Sequence, residues 1–80
     1  MDNQKFIEHC KQLVKNYIQT DLDYDIYIVW LSKTLQNNKA LVSTTLSDGM
    51  YYEITYNGDK KEVYLDAYKK VENRCINLDI

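Results

Sequence analysis

From Phe6 onward the apolar residues Phe6, Ile7, Cys10, Leu13, Val14, Tyr17 and Ile18 recur at three- and four-residue spacing, while Lys5, Glu8, Lys11, Gln12 and Lys15 fill the intervening positions. This period predicts an amphipathic helix of about four turns. Asp2 or Asn3 stands where a side-chain oxygen can cap its free N–H groups, and Thr20-Asp21 begins a polar exit. The pattern then changes. Tyr24, Ile26, Tyr27, Ile28, Val29 and Trp30 are β-branched or aromatic and suit a pleated strand, placed at Asp25 to Leu35. Gln36-Asn37-Asn38, Ser47-Asp48-Gly49 and Asn57-Gly58 follow as reversal signals, because Asn-Gly and Asp-Gly tolerate the positive φ of tight hairpin turns. They divide the middle of the chain into strands Lys39 to Leu46, Met50 to Tyr56 and a short Lys60 to Leu65. Asp66 to about Leu78 reads as a second helix with Asp66 as cap and Ala67, Tyr68, Val71 and Cys75 on one stripe. Lys61 to Leu65 also fits the start of that helix, since Val63, Ala67 and Val71 stack at four-residue spacing; Asn57-Gly58 favours the hairpin.

The elements assemble into an α+β fold: an N-terminal helix, an antiparallel meander of three to four strands and a C-terminal helix, with both helices on one sheet face. A period of two assigns Ile26, Ile28, Trp30, Ala40, Val42, Leu46, Tyr52, Ile54, Tyr56, Val63 and Leu65 to the face under the helices. The opposite face receives Tyr27, Val29, Leu31, Lys33, Leu41, Ser43, Thr45, Tyr51, Glu53, Thr55, Glu62 and Tyr64. That face holds more tyrosine and aliphatic surface than solvation requires. Large rings with a polar tip suit an interface, so Tyr27, Val29, Leu31, Tyr51, Glu53 and Tyr64 are the candidate protein-binding residues.

Eighty residues bound the rest. They form one domain, 1–80, with a small core. The apolar fraction of 45% against 28% charged excludes disorder and low-complexity classes. Eight tyrosines and the absence of proline depart from average composition. A net charge of -2 gives no global attraction to nucleic acid or anionic membrane. No run approaches the apolar length of a membrane span, and Met1-Asp2-Asn3-Gln4-Lys5 lacks the start of a signal peptide, so the expected compartment is the cytoplasm. Cys10 and Cys75 read as reduced, buried core residues; a bridge would need the two terminal helices side by side.

Chemistry is sparse. His9 and Cys10 are adjacent on a helix and point about 100° apart, which disfavours a nucleophile–base pair. Asp21-Leu22-Asp23-Tyr24-Asp25 has the alternating carboxylates of a calcium loop but Ile26 and Ser32 where that loop needs Gly and Glu, so it reads as a solvated acidic loop. With only Gly49 and Gly58 there is no phosphate-cradling loop or nucleophile elbow. The expectation is a non-enzymatic protein with no catalytic residues, metal or cofactor. Lys60, Lys61, Lys69 and Lys70 supply the alternative, a nucleic-acid-binding domain. Helix, three strands, helix resembles the topology of double-stranded RNA-binding domains, in which lysines at the start of the last helix reach phosphates. Tyr64 stands where that family's basic run continues, and Glu62 and Asp66 dilute the charge.

The segments Trp30-Leu31-Ser32-Lys33-Thr34-Leu35-Gln36-Asn37, Lys39-Ala40-Leu41, Ser43-Thr44-Thr45-Leu46-Ser47-Asp48-Gly49-Met50-Tyr51-Tyr52-Glu53 and Tyr56-Asn57-Gly58-Asp59-Lys60-Lys61-Glu62 resemble a family of small uncharacterised proteins of phages and prophages of Gram-positive bacteria. The resemblance covers nearly the whole chain and carries no catalytic residues. It implies a phage product acting inside a bacterial host, where small acidic proteins without catalytic motifs often bind and block a host or defence protein such as a CRISPR effector. The expected partner is therefore a protein of host or phage origin, or a second copy of the chain in a homodimer.

Overall fold

The first helix forms where the three-and-four spacing places it. In the computed structural model, which describes residues 1–79, α1 spans Asn3–Tyr17 and Asp2 is its cap. The Asp2 carboxylate accepts the Lys5 N–H at 2.9 Å, and this bond holds the Asp2 pKa below its ordinary value. At the other end the Ile18 N–H donates to the Val14 carbonyl at 2.9 Å and closes the last turn. Phe6, Cys10 and Val14 form the buried stripe, while Tyr17 at the helix end is largely exposed.

Four strands follow: β1 (Ile26–Thr34), β2 (Asn37–Thr44), β3 (Met50–Asn57) and β4 (Glu62–Lys69). They form one antiparallel sheet in chain order, β1-β2-β3-β4. The fourth strand exists, so Asn57-Gly58 does open a hairpin, and β4 runs four residues beyond the expected Leu65. Leu35 takes φ +54 in the turn between β1 and β2, a left-handed conformation that strains any residue with a Cβ. Gly49, with φ +69, takes the corresponding role before β3 at no steric cost. Gly58 is required for a different reason: a Cβ there would collide with the Gln36 carbonyl oxygen, because the β1–β2 and β3–β4 turns lie against each other. The Asn37 side chain fastens this contact by accepting the Gly58 N–H at 3.3 Å. Asp25 and Thr45 tie the approach to β1 onto the end of β2, through Asp25 N–H to Thr45 Oγ1 at 2.8 Å and Thr45 N–H to the Asp25 carbonyl at 3.0 Å.

The core is Phe6, Cys10 and Val14 of α1 packed on Ala40, Val42, Tyr52 and Ile54 of the central strands. The Tyr17 ring meets Tyr52 edge-on, with centroids 5.6 Å apart. Asn38, also fully buried, donates from Nδ2 to the Met1 carbonyl at 3.4 Å, while its Oδ1 has no partner.

Two expectations are corrected. The C-terminal helix does not form: α1 is the single helix among the described residues, and 70–79 is an exposed segment without regular structure. Asp66 to Lys69 pair with β3 instead, because Val63, Tyr64, Leu65 and Tyr68 favour a pleated surface. The remainder is too short to hold a helix alone, isolated helices below about 12 residues being marginal. Cys75 is consequently exposed rather than buried, and both cysteines are free. The second correction concerns β1. Its register shifts between Ile28 and Trp30, so that Trp30 pairs with Leu41 and Leu31 with Ala40. The extra residue, Val29, inverts the alternation beyond it. Trp30 moves to the open face, and Leu31 and Lys33 move to the helix side.

Candidate binding face of the sheet

The register fixes which side chains share the uncovered face. One row runs Tyr27, Ser43, Tyr51, Tyr68 across β1 to β4; the next runs Trp30, Leu41, Glu53, Asp66, with Val29 of the bulge beside Trp30. Below them lie Ser32, Lys39, Thr55 and Tyr64, then Thr34, Asn37, Asn57 and Glu62. Tyr27, Val29, Trp30, Tyr64 and Tyr68 are all exposed, at 41 to 54%. Ser43 is buried although it lies on this face, flanked in register by Tyr27 and Tyr51, and its hydroxyl donates to the Met50 carbonyl at 2.9 Å.

Of the six expected binding residues, Tyr27, Val29, Tyr51, Glu53 and Tyr64 lie on this face. Leu31 does not, since the bulge turns it under the helix, where it packs on the core. Trp30 and Tyr68 share the face without being among the expected residues. Ile26 to Leu31 is apolar at every position, so alternation alone carries no sign of the shift, and helical spacing assigns Tyr68 to the expected last helix.

Charge is uneven across the face. Glu53 and Asp66 stand directly opposite each other on β3 and β4, an arrangement that is destabilising for like charges. Lys39 relieves one of them, its Nζ lying 3.6 Å from Glu53 Oε1 with both side chains partly solvated. Glu62 adds a third carboxylate and accepts the Tyr64 hydroxyl at 2.5 Å, a bond that raises the Tyr64 pKa. Aromatic rings thus lie on β1, β3 and β4 of the face, while its carboxylates are confined to β3 and β4.

The other candidate groups do not converge. Cys10 is fully buried and its thiol is pushed up to about 12 by burial, while the exposed His9 turns to a separate groove of about 220 Å³ lined with Phe6, Leu13, Tyr56 and Val63. Lys60 and Lys61 occupy the β3–β4 turn, whereas Lys69 ends β4 and Lys70 follows it. Seven strand residues lie between Lys61 and Lys69, which sets the doublets roughly 26 Å apart. Without a last helix the described residues also do not have the double-stranded RNA-binding topology. Asp21, Asp23 and Asp25 line an open groove of about 970 Å³ together with Lys11 and Lys15. No helix among the described residues is long and apolar enough to cross a membrane.

Comparison with known proteins places this architecture in a family of unknown function, DUF6275, which matches residues 4–78. The chain belongs to the DUF6275 family. The match spans α1 from its second residue, all four strands and nearly all of the C-terminal segment, so the open face lies wholly within the family's extent. No curated protein and no solved structure matches the chain.

Proposed function

We propose that this DUF6275 chain is a non-enzymatic binding module of phage or prophage origin. It docks another protein, of host or phage origin, on its open sheet face and acts by occupying that partner, in the manner of an inhibitor of a host or defence factor. The observation that supports this reading is the exposed cluster of Tyr27, Val29 and Trp30, with half-buried Leu41 next to it, beside the opposed carboxylates Glu53 and Asp66. A complementary partner offers an apolar patch with Lys or Arg at its margin, since a cation between Glu53 and Asp66 would remove their repulsion. The reading is tested by affinity capture from infected host cells with the wild-type chain and a Tyr27→Ser/Trp30→Ser variant whose circular dichroism and melting are unchanged. Capture of one stoichiometric partner by the wild type and its loss by the variant is the expected result. Equal capture by both would overturn it.

A further inference from the structure

The two outer strands of the sheet differ. β1 is interrupted by the bulge at Val29, a device that disrupts pairing along an edge, whereas β4 is eight regular residues with no register shift. Nor does proline block either edge, the chain having none. The phase of the β3–β4 ladder shows which groups β4 leaves free. The Lys70 N–H donates to the Gly49 carbonyl at 2.8 Å, one step beyond the Met50–Lys69 pair. Because bonded residues alternate along an antiparallel strand, Glu62, Tyr64, Asp66 and Tyr68 bond inward to β3, and Val63, Leu65, Ala67 and the terminal Lys69 direct their N–H and C=O groups outward. The first three carry no charge, and no main-chain bond from residues 71–79 covers them.

We propose that a second copy of this chain pairs antiparallel along β4, about a two-fold axis through Leu65, to give a continuous eight-stranded sheet. Two copies related by an axis normal to the sheet keep the same faces on the same side, so opposed residues must share a face. With Leu65 opposite Leu65, Val63 meets Ala67 of the second copy on the helix side, and the three uncharged outward-directed residues of each strand bond to those of the other. On the open side Tyr64 meets Asp66, and Glu62 meets Tyr68, placing phenol hydroxyls against carboxylates. The two neighbouring in-phase registers are both penalised by charge: one opposes Asp66 to Asp66, the other Glu62 to Asp66. Val63 is exposed at the rim of the groove formed by Phe6, Leu13 and Tyr56, so pairing extends that apolar surface across the axis. Lys61 and Lys69 of the two copies meet only at the solvated ends, where salt screens them. Both open faces then lie on one side of the assembly, whatever they bind.

The test is the mass in solution of the full chain together with amide hydrogen exchange. The expected mass is twice the 9.5 kDa of one chain, with slow exchange at Val63, Leu65 and Ala67. An Ala67→Pro variant removes an outward N–H while leaving every β3 bond in place, so it should stay folded and run at the mass of one chain. A monomeric wild type, free exchange at those three amides, or a folded Ala67→Pro chain that remains dimeric would each overturn the proposal. A Tyr27→Ser/Trp30→Ser variant, which alters only the open face, should keep the double mass.

Discussion

The two faces of the sheet are built from similar residues and put to different uses. Under α1, Val42, Tyr52 and Ile54 lie in full contact with Phe6, Cys10 and Val14; on the other side, Tyr27, Trp30, Tyr64 and Tyr68 stand about half in solvent. Hydrophobicity is therefore not what separates core from surface here. The separation comes from having one helix, since a single helix covers one face. The lesson for small α+β chains is that side-chain type locates strands, but only the number and position of helices determines which strand face is available for binding.

This contrast is broken most severely from below. Phe6→Ala should cost about 3–5 kcal/mol, against a total of about 4–12 kcal/mol for a chain of this size, and leave much of the protein unfolded by urea titration. Trp30→Ala, by contrast, removes the largest ring of the open face and should shift the midpoint little; a loss as large as that of Phe6→Ala would mean that the two faces are not energetically distinct. Gly58→Ala tests the contact between the two turns, which both faces share. It should destabilise by about 1–3 kcal/mol, because neither the added methyl nor the Gln36 carbonyl has room to move. The smallest effect sharpens the comparison. Asp66→Asn should raise stability by a few tenths of a kcal/mol by removing the repulsion with Glu53, while weakening capture of the partner. A gain in stability with unchanged capture would show that the Glu53–Asp66 pair takes no part in binding.

Most of the helix and sheet was legible from period and turn chemistry. Asp2, the 3.6-residue stripe, and the Asp-Gly and Asn-Gly turns each act locally and can be read locally. The missing information was of two kinds. The bulge at Val29 lies in a run where both faces are apolar, so no polar residue marks the change of phase. The competition between strand and helix after Leu65 was decided by β3, whose Met50 to Glu53 pair with Asp66 to Lys69. Helical spacing of Ala67, Tyr68, Val71 and Cys75 was present, but a strand partner across the sheet outweighed it. Five of the six candidate interface residues lie on the face the alternation assigns them, four because they are outside the bulged part of β1 and Val29 because it is the bulge itself; Leu31, one residue past Trp30, is turned to the other face.

The chain-order meander also bears on how the molecule reaches this state. Every strand pairs with its neighbour in sequence across a short loop, so little chain entropy is lost before each pairing is rewarded, and sheets of this kind fold faster than those with long crossovers. β1 and β2 can pair before β4 has left the ribosome, while α1, made first, waits for Ile54 to complete the surface it covers. The outermost strand is the last piece of the sheet to be synthesised, and its free edge is exposed from that moment.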